Sequence, residues 1–312
     1  MLVTRSSRRP LEPTSLKHNA GSENDEEAGR SPAGHPGEPT APAQSTSIEA
    51  RLIAVGSQQL MVAIRRGAGA RPPLLLFNGI GANWQLAKPF MEALTDTTAI
   101  IFDMPGIGGS PLPALPYRPS GVARLAARLL AGLGFPRVDV AGVSWGGGMA
   151  QQFAHQYSGL CRRLVLAATS PGVIMAPGRL DAILKLATPR RYLDKTYMRK
   201  IAPEIYGGAF RKDPSLIGRH AEAMEGARGL GYLYQLLAMA GWTSLPWLWT
   251  LRQPTLILMG REDPLVPVVN GRILAQLIPN AKLELVDDGH LFMVTRPEET
   301  ARRIEKFLGD EG

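Results

Sequence analysis

The chain lacks the features of an exported or membrane-spanning protein. It has one cysteine in 312 residues, Cys161, so no internal disulfide can form, which agrees with a reducing compartment. No apolar run approaches the roughly 20 residues needed to cross a bilayer. The basic start, Met1 to Arg9, leads into proline and polar residues instead of an apolar signal core. We therefore expect a cytoplasmic protein with no transmembrane segment.

The first 47 residues have hardly any large apolar side chains. Proline, glycine, serine, alanine and charged residues dominate this stretch. Such a composition cannot offset the entropy lost on folding. We predict that residues 1–47 form a disordered tail and that the folded part begins near Ile48.

The net charge of +8 does not come from one basic stretch. Arginine and lysine are scattered along the chain, and no sequence module for binding nucleic acid accompanies them. A basic protein attracts anionic surfaces in general, so adhesion to an anionic or amphiphilic surface remains an alternative. We predict no nucleic-acid partner.

Short apolar runs alternate with segments of helical spacing. Two runs separated by Gly56-Ser57, residues 48–55 and 59–64, predict an antiparallel hairpin at a sheet edge. Continuous apolar runs, typical of parallel strands buried on both faces, follow at 73–77, 99–102, 138–143, 163–168, 255–259 and 282–286. Helices are predicted at 84–94, 120–132 with Ser120 as its cap, 270–277 and 297–308. The pattern predicts an α/β fold, a mostly parallel sheet with helices on both faces.

The strand pattern stops between residues 172 and 251. This stretch has helical segments broken by proline and glycine, and it is rich in tryptophan, tyrosine and methionine. We predict that residues 172–251 form an inserted helical cap. The sheet domain would then consist of two parts, residues 48–171 and 252–312.

A single serine lies at the turn between a predicted strand and a predicted helix. The segment Gly142-Val-Ser144-Trp-Gly146 matches G-x-S-x-G, the nucleophile elbow. The glycines are needed because neighbouring chain passes close to a serine held in a strained conformation. The pattern predicts an exposed Ser144 hydroxyl at the start of a helix, where developing negative charge is favoured.

A serine hydroxyl becomes a good nucleophile when a histidine takes its proton. Of the five histidines, His18 and His35 lie in the tail, and His155 is about 16 Å along the helix axis from Ser144. His220 lies in the cap, where a surface or packing role is expected. His290 follows the last strand, at the edge where parallel sheets carry their sites, and is the predicted base.

The histidine needs a carboxylate that fixes its tautomer. The chain order of this architecture is Ser, Asp or Glu, then His, which selects the loop after the preceding strand. In that loop Asp263, beside Pro264, is better placed than Glu262. Asp287 and Asp288 compete, but they leave the same strand as His290 and are interpreted as capping or positioning its loop.

The oxyanion formed by attack on a carbonyl needs fixed donors. The backbone N–H groups of Trp145 and Ile80 are predicted to supply them. A rival interpretation takes Gly79, Gly81 and Asp103 as part of a dinucleotide fingerprint. Because position 84, where the third glycine belongs, is Trp, we predict no nucleotide cofactor and no metal.

The placed residues resemble those of α/β-hydrolases over nearly all of residues 48–308. More narrowly, the chain resembles the intracellular poly(3-hydroxyalkanoate) depolymerases that act on medium-chain-length polyester. The resemblance rests on 76–83, the elbow 142–147, 151–155, 189–192, 201–208, 241–244 and 287–292. It implies an α/β-hydrolase fold and a triad of Ser144, Asp263 and His290.

The resemblance also implies a substrate, a polyester granule or a small ester. A cap rich in aromatic and apolar side chains suits a long acyl chain, and Trp242 and Trp247 are the predicted substrate-binding residues. Polyester synthases of similar fold carry cysteine at the elbow, so Ser144 favours hydrolysis. The alternatives are a carboxylesterase or C–C bond hydrolase for small apolar substrates and a non-catalytic binding protein of the same fold.

Overall fold

The computed structural model describes residues 47–188, 190, 194–223 and 229–310. The tail predicted for residues 1–47 lies outside this description except for its last residue. Within the described residues, eight strands form one sheet in the order β1-β2-β4-β3-β5-β6-β7-β8. The strands are β1 Ile48–Val55, β2 Gln58–Arg65, β3 Leu74–Phe77, β4 Ala99–Phe102, β5 Val138–Val143, β6 Cys161–Ala167, β7 Thr255–Gly260 and β8 Ala281–Val286.

The first two strands pair antiparallel, and β2 also runs antiparallel to β4. All later pairs are parallel. Every residue of β3, β4, β5 and β7 is buried, as the continuous apolar runs predicted. The edge hairpin and the mostly parallel sheet are therefore confirmed.

Helices connect the parallel strands and also follow the last one. Outside the region between β6 and β7 they are α1 Trp84–Ala93, α2 Pro119–Gly132, α3 Trp145–Gln156, α9 Val268–Leu277, α10 Phe292–Thr295 and α11 Pro297–Gly309. The predicted capping role of Ser120 is wrong. Pro119 already lies in the first turn of α2, and Arg118 is the N-cap residue without a side-chain hydrogen bond. Proline suits this position because its missing N–H has no helical partner there.

Alternating side chains of one strand pack against helices on opposite faces. Leu75 and Phe77 belong to the same core cluster as Phe153 of α3. Leu74 and Leu76 belong to a second cluster, which contains Phe90 of α1. Successive side chains of a strand point to opposite faces, so β3 is covered by helices on both sides.

The described residues between β6 and β7 form helices. They are α4 Leu180–Ala187, α5 Lys195–Tyr206, α6 Ala209–Lys212, α7 Pro214–Ala223, α8 Gly229–Met239 and a 3₁₀ helix Leu245–Thr250. One isolated antiparallel bridge, between Gly172 and Thr243, joins the two ends of this region. The chain thus leaves the sheet after β6, forms these helices, and returns to the sheet at β7.

Candidate active site

Ser144 lies at a sharp turn between β5 and α3. Its φ is 55°, in a region that is costly for a residue with a side chain. A Cβ on Gly142 would lie 2.3 Å from the Gly146 carbonyl oxygen, and a Cβ on Gly146 would lie 2.1 Å from the Phe77 carbonyl oxygen. Any side chain at 142 or 146 would therefore displace backbone, which explains the glycine spacing of the elbow.

His290 reaches the serine from the loop after β8. Its Nε2 lies 2.9 Å from Ser144 Oγ, and only 4% of the residue is exposed. Its backbone N–H donates to the carbonyl of Tyr206 at 2.7 Å, so the end of α5 holds this loop. The Ser144–His290 distance is that of an ordinary hydrogen bond in which the hydroxyl donates to a neutral imidazole nitrogen.

Asp263 lies on the other side of the imidazole. Its Oδ2 is 2.7 Å from His290 Nδ1, and its Oδ1 accepts from the N–H groups of Leu265 and Val266 at 2.8 and 2.9 Å. A carboxylate here favours the tautomer with its proton on Nδ1, which leaves Nε2 as the acceptor facing Ser144. The structure brings the serine, histidine and aspartate predicted from sequence into one hydrogen-bonded chain.

The rival Asp288 has different partners. It is buried, and its Oδ1 accepts from the N–H groups of Ala209 and Gly289 at 2.7 and 2.6 Å. Its Oδ2 accepts from the hydroxyl of Thr295 at 2.7 Å. Asp288 therefore ties the loop that carries His290 to the start of α6 and to α10.

The other competing carboxylates lie at the surface. Asp287 pairs with Arg261 at 2.6 Å. Glu262 pairs with Lys212 at 3.3 Å. Both side chains are much more exposed than Asp263, whose side chain is fully buried against the imidazole.

The other described histidines have other contacts. His155 lies on α3, where its ring stacks on Trp247 with centroids 4.3 Å apart. His220 of α7 is buried, and its Nε2 lies 3.3 Å from the Tyr206 hydroxyl. His220 is therefore packed inside the protein and not at its surface. It also lines the cavity beside Ser144. Its sequence context gave no sign of this position.

The two predicted oxyanion donors belong to segments on either side of the serine. Trp145 is the first residue of α3, where a backbone N–H has no acceptor within the helix. Ile80 lies in the loop after β3 and lines the cavity beside Ser144. The neighbouring Gly79 is close enough that an added Cβ would lie 3.9 Å from the Ser144 Cβ. The two segments therefore lie next to Ser144, and the role of the two N–H groups as oxyanion donors stays a prediction.

The cavity beside Ser144 and His290 is mainly apolar. The other polar side chains that line it are those of Asn78, Tyr206 and His220. Its apolar lining includes Leu86, Phe90, Leu186, Leu291, Met293 and Val294. An apolar cavity with few polar groups suits a hydrocarbon chain attached to one reacting polar bond.

The two tryptophans predicted to bind substrate lie elsewhere. Trp242 donates from Nε1 to Gln152 Oε1 at 2.9 Å and packs edge-on against Trp247. Trp247 in turn stacks on His155. Neither tryptophan belongs to the cavity lining, so the assignment is corrected to packing against α3. Composition alone led to the prediction, and it could not tell the core of a cap from its pocket.

Asp103, the acidic residue of the rival dinucleotide interpretation, is bound within the fold. Its Oδ1 accepts from the Trp84 N–H at 2.6 Å and its Oδ2 from the Gly109 N–H at 2.9 Å. Burial raises the pKa of this carboxyl to about 6, although both backbone donors act in the opposite direction. The side chain therefore joins the loops after β3 and β4 instead of facing a ligand.

Three further observations concern the described part of the chain. Its histidine, cysteine and acidic side chains form no group of three that could hold a metal ion. None of its helices has both the length and the apolar character needed to cross a bilayer. Cys161 is buried, and burial raises the pKa of its thiol.

Comparison with known proteins identifies the architecture. A family model described as the alpha/beta hydrolase fold matches residues 72–297. The chain belongs to the α/β-hydrolase fold family. The fold and the family expected from the motifs are thereby confirmed. In solved structures, this hydrolase is similar to the enol-lactonase from Burkholderia xenovorans LB400, with a TM-score of 0.72, 21% identity, and coverage of 83% of this chain and 100% of the other.

Two relatives give a narrower comparison. The hydrolase is 50% identical over 262 residues to a poly(3-hydroxyalkanoate) depolymerase of Ectopseudomonas oleovorans, covering 84% of this chain and 93% of that protein. It is 31% identical to a pimeloyl-[acyl-carrier protein] methyl ester esterase of Aromatoleum aromaticum, covering 76% of this chain and 98% of that protein. One of these relatives is thus named as a depolymerase and the other as an esterase.

Proposed function

We propose that this hydrolase is a serine esterase that cleaves intracellular poly(3-hydroxyalkanoate), with a preference for medium-length side chains. The observation that carries the proposal is the hydrogen-bonded chain of Ser144, His290 and Asp263 beside an apolar cavity. The depolymerase of Ectopseudomonas oleovorans, 50% identical over 84% of this chain, supports polyester as the substrate.

Acylation begins at Ser144. His290 Nε2 takes the hydroxyl proton as Oγ attacks the ester carbonyl carbon, and Asp263 stabilises the resulting imidazolium. The electron pair of the C=O bond moves to oxygen, where the N–H groups of Ile80 and Trp145 stabilise the charge. When the intermediate collapses, the bond to the alcohol oxygen breaks. That oxygen takes the proton from His290, and a polymer end leaves as a hydroxyl.

Deacylation repeats these steps with water. His290 removes a proton from a water molecule that attacks the acyl carbon, and the same two amides stabilise the second oxyanion. Ser144 Oγ then leaves and recovers its proton from His290. The products are a 3-hydroxyacyl carboxylate and the free enzyme, so the reaction requires no metal and no cofactor.

We propose that residues 172–251 act as the cap over this site. Three helices of this region contribute side chains to the cavity, namely Leu186 from α4, Tyr206 from α5 and His220 from α7. A cavity closed by helices excludes water from the reacting ester and offers apolar surface to the acyl chain.

The exposed surface of helix α8 supports the proposal that the enzyme acts on polyester in the form of a water-insoluble granule. Its exposed side chains are all leucine, namely Leu230, Leu233, Leu236 and Leu237. Residues 229–239 contain no charged side chain. An exposed apolar helix face of this kind marks a site of interaction. The absence of basic residues on α8 argues against a membrane-binding amphipathic helix.

This leucine face, defined as the four exposed leucines of α8, is connected to the cavity. The Tyr232 hydroxyl of α8 donates to the Leu186 carbonyl of α4 at 2.6 Å, and Leu186 lines the cavity. Helix α4 itself exposes Leu180 and Leu184. We infer that the leucine face adsorbs to water-insoluble polyester in the cytoplasm and brings polymer chains to the cavity.

The deciding experiment compares insoluble and soluble esters. Purified protein is incubated with amorphous granules of medium-chain polyester, with granules of polyhydroxybutyrate, and with p-nitrophenyl octanoate. Mass spectrometry measures the released hydroxy acids. We expect release mainly from the medium-chain granules, and none from Ser144→Ala. Turnover of p-nitrophenyl octanoate with no release from either granule would instead indicate a carboxylesterase for small substrates.

A further inference from the structure

One residue of α8 contacts both segments that carry the predicted oxyanion donors. Gln235 is completely buried. Its side-chain Oε1 accepts a hydrogen bond of 2.6 Å from the Gly81 N–H. Its backbone carbonyl accepts a hydrogen bond of 3.0 Å from the indole Nε1–H of Trp145. Gln235 is therefore bonded to the residue that follows Ile80 and to the residue that follows Ser144.

The contact with Gly81 restrains the loop that carries Ile80. The ends of this loop are already joined, because Asn78 Nδ2 donates to the Asn83 carbonyl at 2.8 Å. Gly81 has a φ of 71°, which glycine adopts easily. Because glycine has no side chain, the backbone here is also free to rotate. An acceptor fixed opposite the Gly81 N–H limits this rotation one peptide away from the Ile80 amide.

The contact with Trp145 restrains the other donor. The Trp145 side chain is 8% exposed, and its indole N–H would lose a partner in a buried place if α8 moved. Fixing this side chain also fixes the first residue of α3, whose backbone N–H adjoins Ser144. The same residue, Gln235, thus restrains both donors.

The position of α8 is itself closely defined. A Cβ on Gly231 would lie 2.0 Å from the Gly106 carbonyl oxygen, so the helix packs directly against the loop after β4. The Tyr232 hydroxyl bonds to α4 on another side. These contacts let α8 hold Gln235 at a fixed distance from the elbow.

We propose that Gln235 is a positioning residue that aligns the Ile80 and Trp145 amides as an oxyanion hole. The inference rests on the proposed function only in that Ser144 attacks an ester, and it does not depend on polyester as the substrate. The oxyanion exists only after the carbonyl electron pair has moved to oxygen. Misaligned donors therefore raise the barrier while substrate binding changes little.

The test uses a matched pair of substitutions, Gln235→Met and Gln253→Met. Gln253 is also a buried glutamine, and its Nε2 donates to the Ala154 carbonyl at 3.0 Å, away from the elbow. Each change removes a buried side-chain hydrogen bond and preserves chain length. The measurements are kcat and KM for p-nitrophenyl octanoate, Tm, and the inhibition constant of an octyl trifluoromethyl ketone. Ser144 adds to this ketone and forms an oxyanion without a leaving group.

We expect Gln235→Met to lower kcat by about 10- to 100-fold, since small misplacements of catalytic groups have effects of this size. The inhibition constant of the ketone should rise by a similar factor, and KM should change by less than about threefold. Gln253→Met should lower Tm without changing kcat. Gln235→Glu keeps an accepting oxygen for the Gly81 N–H and should recover most of the lost kcat.

The proposal is overturned if Gln235→Met lowers only Tm, or if KM rises while kcat and ketone affinity stay unchanged. A folded Gln235→Glu that is as slow as Gln235→Met also overturns it. If Gln235→Met does not fold, Trp145→Phe decides, because it removes the indole donor to the Gln235 carbonyl and keeps an aromatic ring at this position. A loss of kcat and ketone affinity at constant KM supports the proposal, and unchanged values overturn it. A wild-type protein without ester turnover would instead disprove the proposed function before any variant is compared.

Discussion

The carbonyl of Tyr206 accepts a 2.7 Å hydrogen bond from the His290 N–H, and the two rings lie almost parallel with centroids 6.5 Å apart. Tyr206 is the last residue of α5, between β6 and β7, whereas Ser144 lies at the turn directly after strand β5 of the sheet. The nucleophile is therefore positioned by the sheet and the histidine partly by the inserted helices. We therefore expect the packing of α5 to affect the Ser144–His290 hydrogen bond.

The assignment of the carboxylate predicts different effects for substitutions of the two aspartates near His290. Asp263→Asn should lower kcat for p-nitrophenyl octanoate by three to four orders of magnitude, roughly, because the amide favours the wrong histidine tautomer. Asp288→Asn should mainly lower stability, by about 1–3 kcal/mol, because Asp288 accepts buried hydrogen bonds from two backbone N–H groups. Kinetics and thermal unfolding of both variants provide the check. A larger loss of kcat in Asp288→Asn would make the assignment of Asp263 wrong.

The buried Asp103 predicts a dependence of stability on pH. Its pKa is about 6 in the folded protein against 3.8 for an ordinary aspartate, because burial disfavours the charged form. The folded state therefore binds its proton more tightly than the unfolded state does. The contribution of Asp103 to the free energy of unfolding is full below pH 4, roughly, and falls as pH rises to about 6, by about 3 kcal/mol in total.

Urea unfolding of wild type and Asp103→Asn from pH 4 to pH 7, roughly, measures this contribution. The difference in unfolding free energy between the two proteins should change in favour of the variant as pH rises. A difference that stays constant with pH would show that the two backbone donors cancel the effect of burial.

Much of the fold and of the Ser144, His290 and Asp263 arrangement could be predicted because each feature has a local signal. Glycine spacing marks the elbow, and continuous apolar runs mark the buried strands. His290 and Asp263 follow two of these strands directly, so the parallel sheet brings the loops to the same edge. Chain order then separates Asp263 from Asp288.

The positions of Gln235 and His220 close to the site could not be predicted in this way. Both lie on helices between β6 and β7, where position depends on packing between distant segments. Gln235 contacts Gly81, which is 154 positions away in the sequence. The same limitation explains the error for Trp242, whose aromatic side chain indicated burial but not which neighbour it contacts.

The leucine face predicts a separation between activity on granules and activity on soluble esters. A variant with Leu230→Gln, Leu233→Gln and Leu237→Gln should keep wild-type kcat for p-nitrophenyl octanoate. Its affinity for medium-chain granules should fall roughly a hundredfold, if each half-exposed leucine contributes about 1 kcal/mol. Sedimentation with granules measures the affinity.

The controls for this prediction are exposed leucines elsewhere. Leu52→Gln on β1 and Leu115→Gln in the loop before α2 change residues that are 50% and 75% exposed, and neither should alter granule binding. Light scattering and sedimentation with phospholipid vesicles complete the test. A dimeric wild type made monomeric by the triple change would identify the face as a subunit contact. Binding to vesicles and not to granules would identify it as a membrane contact.

The cavity lining predicts which residue controls acyl-chain length. Leu186 lines the cavity, whereas Trp242 packs against α3. Leu186→Trp should fill part of the cavity and lower the ratio of kcat/KM for p-nitrophenyl octanoate to that for the acetate by at least tenfold, roughly, because each lost methylene contact is worth about 0.8 kcal/mol. Trp242→Ala should leave this ratio unchanged and lower Tm, because it creates a cavity in a packed region. If Trp242→Ala lowered the ratio while Leu186→Trp left it intact, the acyl chain would lie against the tryptophans, and the cavity beside Ser144 would not be the acyl site.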